Sequence, residues 1–229
     1  MRLFVLLTLV VATTALAKDK VTEVRARRTA DVKALLEKVG LKYPVDEVYL
    51  RAFKKERVLE LWAGKSGQPL VLVKSYPVCA ASGDLGPKRK EGDWQVPEGL
   101  YEVPSFNPFS DYHLSMKVSY PNASDRLRSD AKRPGGLIYL HGSCASIGCI
   151  AIEDGPIEEV YLIVIDAKRQ PVRFDIFPTH LDREGLESLK DSANTEFWKE
   201  LAPAYLAFEQ NHRPAAFTVS KKTGAYVLK

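Results

Sequence analysis

An imidazole and a thiol lie eight residues apart in this chain, at His141 and Cys149, within the run His141-Gly142-Ser143-Cys144-Ala145-Ser146-Ile147-Gly148-Cys149-Ile150. An unperturbed thiol has a pKa near 8.5, so only a few per cent of it is thiolate at neutral pH. A neighbouring imidazole raises the reactive fraction by taking the proton, then returns it to a leaving amine. The pair therefore has the composition of a nucleophile and its general acid/base. Gly148 allows a tight turn before the thiol. The Cys149 N–H and a neighbouring N–H are the expected oxyanion donors. Gly142, Ser143, Ala145 and Ser146 are small enough to leave room for a bulky acyl donor.

Three other readings use the same residues. A buried free Cys beside a satisfied His is ordinary core chemistry. His141, Cys144 and Cys149 form an H-x2-C-x4-C set of soft zinc ligands, completed only if His113 or His180 is recruited from a distance. A redox pair has less support, because the spacing is C-x4-C rather than C-x-x-C.

The elements that must position these residues follow from the rest of the chain. It has 229 residues, 45% apolar and 27% charged, with a formal net charge of +4. This composition excludes disordered, collagenous and polytopic membrane classes. Basic and acidic residues are interleaved, which gives no footprint for nucleic acid. Arg2, the apolar run 3–11 and Ala15-Leu16-Ala17 read as a secretory signal peptide over 1–17, too short for a span of roughly 20 apolar residues. The protein is thus expected outside the cytosol, in a periplasm or cell envelope. There an odd count of three cysteines (Cys79, Cys144, Cys149) requires a free or intermolecular thiol.

Residues 18–46 are expected to form an N-terminal helical segment outside the catalytic core, with Val32, Leu35, Leu36 and Val39 at helical spacing and Gly40 as the stop. Beyond Pro44, the runs around Val48–Phe53, Val58–Trp62 and Leu70–Val73 predict three strands in meander order. Residues 80–133 are rich in Gly, Pro, Asn and Ser, the composition of long loops that line sites. Leu137–Leu140 is a buried-type strand leading into His141. A helix is expected to start near Asp154-Gly155-Pro156, and Val172–Ile176 alternates as a strand. Residues 179–229 read as a mainly helical extension with a short strand-like tail.

At the His-Gly and Ser-x-Gly-Cys segment the sequence resembles the L,D-transpeptidases with a YkuD-type catalytic domain, and more closely their YafK-like branch. Val78-Cys79-Ala80, Gly83–Lys88, Glu91-Gly92-Asp93, Pro97-Glu98-Gly99, Phe106-Asn107-Pro108 and Tyr120-Pro121-Asn122 support the match. The resemblance implies a mainly β, sandwich-like catalytic domain over 47–178. It also implies peptidoglycan stem peptides as substrates, with no cofactor and no metal. On this mapping Cys149 attacks a meso-diaminopimelate carbonyl to form a thioester and His141 is the proton donor and acceptor. Gly142 and Ser143 orient the imidazole through backbone groups, and Gly148 serves the turn and the oxyanion.

The chain departs from the broader family in having Ile147 for a second His and Ala151 for an Arg that would grip a carboxylate. An amine acceptor would give a 3-3 cross-link or a protein anchor. Water would make the enzyme an amidase, and one member type of the YafK-like branch cleaves the amide to a peptidoglycan-linked lipoprotein lysine. A non-catalytic peptidoglycan-binding module is the rival of another class. Ser146, Tyr139 and Lys88 are the candidates for substrate contact, with strand packing and a solvated turn as the competing readings for the last two. Cys79 and Cys144 either pair, leaving Cys149 free, or remain two buried thiols.

Overall fold

The computed structural model describes residues 19–229. The leader expected over 1–17 lies outside the described residues. In chain order the elements are α1 (Lys20–Glu37), β1 (Glu47–Phe53), β2 (Val58–Gly64), β3 (Val71–Pro77), β4 (Ala80–Ala81), β5 (Gly99–Val103), β6 (Phe106–Asn107), β7 (Ser115–Lys117) and α2 (Ala123–Arg128). They continue with β8 (Tyr139–His141), β9 (Ile150–Ala151), α3 (Asp154–Ile165), β10 (Val172–Phe177), α4 (Arg183–Ser188), α5 (Thr195–Asn211), β11 (Phe217–Val219) and β12 (Tyr226–Leu228).

Two five-stranded mixed sheets make the body, ordered β3-β2-β1-β10-β5 and β4-β9-β8-β7-β6, and β11–β12 form a hairpin. β1 to β3 run as the expected antiparallel meander, while β10 returns parallel to β1 after the whole second sheet has been inserted. The second sheet holds one parallel pair, β8 with β9, in which His141 lies opposite Ala151.

Residues 48–53 look half-buried in the sequence, yet every residue of β1 is buried. Val48, Leu50 and Ala52 face the main core. Phe53 faces a second cluster with Trp198, Leu201 and Tyr205 of α5, and Tyr49 packs against Phe208 of the same helix. The face that alternation assigns to solvent is covered by the C-terminal helix. Arg51 is buried on that face because Glu60 and Glu209 pair with it and the Phe208 ring lies 4.6 Å from its guanidinium carbon.

α1 begins where Asp19 accepts the Val21 N–H, and it ends where Gly40 (φ +75°) lets Leu41 N–H return to the Leu36 carbonyl. The helix precedes the expected catalytic domain in sequence, yet it docks on it. Val21, Val24, Val32 and Leu36 are buried in the main apolar cluster, and the helix packs on α3, which in turn covers β7 and β8. Polar clamps add to this docking. Arg25 pairs with Asp166, and Arg27 and Arg28 both reach the buried Glu158.

Candidate active site

The second sheet brings the imidazole and the thiol together. His141 ends β8 and Cys149 immediately precedes β9, so Cys149 lies one register step before the Leu140–Ile150 pair, beside Tyr139. Alternate residues of a strand share a face. Tyr139, His141 and Cys149 accordingly open into one cleft of about 280 Å³, walled by Phe109, Tyr112 and Leu137.

The imidazole is fixed from one side. His141 is 2% exposed, and its Nδ1 lies 2.6 Å from the Gly142 carbonyl. A carbonyl only accepts, so Nδ1 carries the proton and Nε2 is the basic nitrogen. Tyr112 packs over the ring with centroids 4.8 Å apart. Gly142 is required by space: an added Cβ would stand 2.7 Å from Asp154 Oδ1 and 3.0 Å from both His113 Cβ and Ile157 Cγ2.

Ser143 does not hold the imidazole, contrary to expectation. At φ +58° it turns its N–H to Asp154 Oδ1 (2.7 Å) and its carbonyl to the Glu153 N–H (3.1 Å). Ser143 thus anchors the strand end to the start of α3.

The turn before the thiol is held by two serines. Ser146 Oγ accepts the Cys149 N–H at 3.0 Å and donates to the Cys149 carbonyl at 2.6 Å, while Ser82 Oγ accepts the Gly148 N–H at 2.6 Å. Gly148 has φ +90°, which glycine adopts without strain. Ser146 therefore stabilises the turn rather than presenting itself to substrate. The N–H groups of Gly148 and Cys149 are both engaged, which corrects the expected pair of oxyanion donors.

The thiol itself lies 3.7 Å from the Leu137 carbonyl. Burial pushes its pKa up, against the Tyr139 N–H and the Lys88 charge. Burial likewise pushes His141 below its ordinary 6.5, with the Gly142 carbonyl acting in the opposite direction. Both shifts favour a neutral thiol beside a neutral imidazole.

Lys88 is also corrected. It is 5% exposed, pairs with Asp93 and donates to the Lys90 carbonyl at 3.0 Å. The Lys88-Arg89-Lys90 run resembles a surface cation cluster, but Asp93 five residues on withdraws the first member into the loop. Its charge acts on Cys149 from a distance and is not available to grip a carboxylate.

Cys79 and Cys144 form a disulfide with a Cα–Cα distance of 5.6 Å, and Cys149 is the free thiol. Cys144 is thereby removed from the zinc set considered above. Three residues that shape the site were not among the expected site residues: Ser82, Tyr112 and Asp154. Asp154 was legible only as a helix start, since a hydrogen bond between distant loops leaves no periodic signal.

The YkuD L,D-transpeptidase catalytic domain model matches residues 47–173. YafK of Escherichia coli strain K12, provisionally assigned as an L,D-transpeptidase, is 38% identical over 186 residues, covering 79% of this chain and 73% of its own. This chain belongs to the L,D-transpeptidase family. Among solved structures, the helical cell shape determining protein Pgp2 of Campylobacter jejuni aligns with TM-score 0.48 and 17% identity, over 83% of this chain and 80% of its own. L,D-transpeptidase 1 of Mycobacterium tuberculosis aligns with TM-score 0.34 and 14% identity, over 58% of this chain and 62% of its own. The family acts on peptidoglycan stem peptides. No helix among the described residues is long and apolar enough to cross a membrane.

Proposed function

We propose that this protein is a cysteine-dependent acyl-transfer enzyme of the cell envelope, acting on meso-diaminopimelate-containing stem peptides through a thioester on Cys149. The observation that carries this reading is the cleft shared by the free thiol and an imidazole whose Nδ1 proton is already committed to Gly142. In the first step Cys149 Sγ bonds to the diaminopimelate carbonyl carbon and the C–N bond to the leaving amine breaks. The thiol proton passes to His141 Nε2 and from there to that amine. In the second step an acceptor amine attacks the thioester carbonyl, giving a 3-3 cross-link or a protein anchor, and the sulfur leaves with its proton restored.

Water as the acceptor is a second reading, and the character of the cleft supports it. Phe109, Tyr112 and Leu137 on its wall are exposed, and among the described residues neither Lys nor Arg lines it. A second, carboxylate-rich stem peptide finds no cation to hold it, whereas water needs none. The leaving amine would then be a protein lysine, such as that of a peptidoglycan-linked lipoprotein.

Mass spectrometry of muropeptides separates these products. The protein is incubated with intact peptidoglycan carrying bound lipoprotein, in parallel with Cys149→Ala and Cys144→Ala. New diaminopimelate-to-diaminopimelate links report the transpeptidase, and release of lipoprotein-derived peptide reports the amidase. Cys149→Ala is expected to abolish either product while Cys144→Ala retains some. Full turnover in Cys149→Ala would remove the thioester mechanism.

A further inference from the structure

One wall of the cleft is the loop from Phe109 to His113, which carries the Tyr112 ring packed on His141. Little within this loop holds it in shape. Tyr112 N–H reaches Ser110 Oγ at 3.1 Å, and Phe109 N–H reaches Asn107 Oδ1 at 2.9 Å. His113 has φ +67°, a conformation that is costly for a side chain of this size and must be held from outside.

Two external ties do this, and both run to the α1–α3 pair. Lys20 Nζ, at the first residue of α1, donates to the Ser110 carbonyl at 2.6 Å and the His113 carbonyl at 3.1 Å. One ammonium thus bridges the two ends of the segment that contains Tyr112. His113 Nε2 lies 2.7 Å from Glu158 on α3, the same carboxylate that receives Arg27 and Arg28 of α1. The His113 side chain is also packed against the site, since a Cβ on Gly142 would meet His113 Cβ at 3.0 Å.

We propose that Lys20 is a positioning residue for the reaction: through the two carbonyls it holds the Ser110–His113 loop so that Tyr112 stays on His141 and the imidazole keeps the orientation the chemistry needs. The N-terminal helix is then part of the working site without touching substrate. The kinetic arm of the test rests on the acyl-transfer reading above, whereas the spectroscopic arm rests on geometry alone.

The variants are Lys20→Met, which keeps the stem and removes the donors, Lys20→Arg, which restores them, and Arg25→Ala, which breaks the Asp166 pair on the same helix away from the loop. Met is compatible with a helix start, so all three are expected to fold, with circular dichroism as the check. Lys20→Met is expected to lower kcat at least about tenfold with little change in KM, because a misplaced acid/base costs rate rather than binding. Lys20→Arg is expected to recover most of the loss, and Arg25→Ala to stay near wild type.

In parallel, the His141 ring-proton resonance, displaced by the Tyr112 ring, is expected to move in Lys20→Met toward its position in Tyr112→Ala. An unmoved resonance in folded Lys20→Met, an unchanged kcat, or an equal loss in Arg25→Ala would each overturn the assignment. A wild-type protein inactive on peptidoglycan would count against the function proposed above, and the resonance would still decide the role of Lys20.

Discussion

The thiol and imidazole of this site rest as a neutral pair. Burial opposes charge on both, raising Cys149 and lowering His141 from their ordinary values, and no hydrogen bond joins them among the described residues. A preformed thiolate–imidazolium pair would need the reverse shifts. The sign of the pH dependence follows. On the proposed mechanism His141 must be unprotonated, so activity is expected to fall on the acid side only as pH drops through the His141 value, below 6.5. The thiol keeps its proton until pH exceeds 9.0. The kcat/KM profile is therefore expected to be flat from below pH 6.5 to about 9. Alkylation of Cys149 by iodoacetamide is expected to be slow at neutral pH, to rise about tenfold per pH unit with the thiolate fraction, and to level off only above 9.0. Rapid alkylation at pH 6 would mean a preformed ion pair and would contradict this arrangement.

Helix α1 is clamped to α3 by carboxylates, and that attachment carries its own pH dependence. Burial pushes Glu158 up, but hydrogen bonds from Arg28, Arg27 and His113 outweigh it and hold the carboxyl below its ordinary 4.5. Asp166 is similarly held below 3.8, Arg25 and Tyr43 overcoming the burial that opposes them. A depressed carboxylate stabilises the fold fully above its ordinary value and loses that contribution as pH falls through the depressed one. Amide exchange in α1 is thus expected to speed up below about pH 4 before exchange in β1 and β10 does. At pH 7, Glu158→Gln is expected to weaken α1 docking by on the order of 2 kcal/mol, about thirtyfold in exchange rate. Uniform exchange across α1 and the sheet would show that the helix does not open separately. The helix was legible from the spacing of Val32, Leu36 and Gly40, but its partner surface was not. The β1–β3 meander was legible for the same local reasons, whereas β4, β6 and β9, two residues each, are too short to show a period. His141 and Cys149 stood out because their chemistry is unusual in sequence; Ser82 and Lys20 act through contacts with distant loops and left no local mark, and Asp154 showed only as a helix start.

At the scale of the whole molecule, the Cys79–Cys144 bond closes a loop across 65 residues and ties the exit of β3 to the segment between β8 and β9. It lies where Cys79 N–H already donates to the Ala151 carbonyl. Closing a loop of this length removes conformational freedom from the unfolded chain worth about 4 kcal/mol. The turn before Cys149 has other supports, since Ser146, Ser82 and Asp154 hold Cys149, Gly148 and Ser143 directly. Stability and turnover should therefore separate. The double variant Cys79→Ala/Cys144→Ala is expected to lose about 4 kcal/mol in a urea unfolding curve while keeping most of its turnover at temperatures where it is folded. Cys149→Ala is expected to do the opposite, keeping the midpoint and losing the reaction. Loss of turnover in a folded double variant would show that the disulfide, and not the serine contacts, holds the nucleophile turn in its working shape.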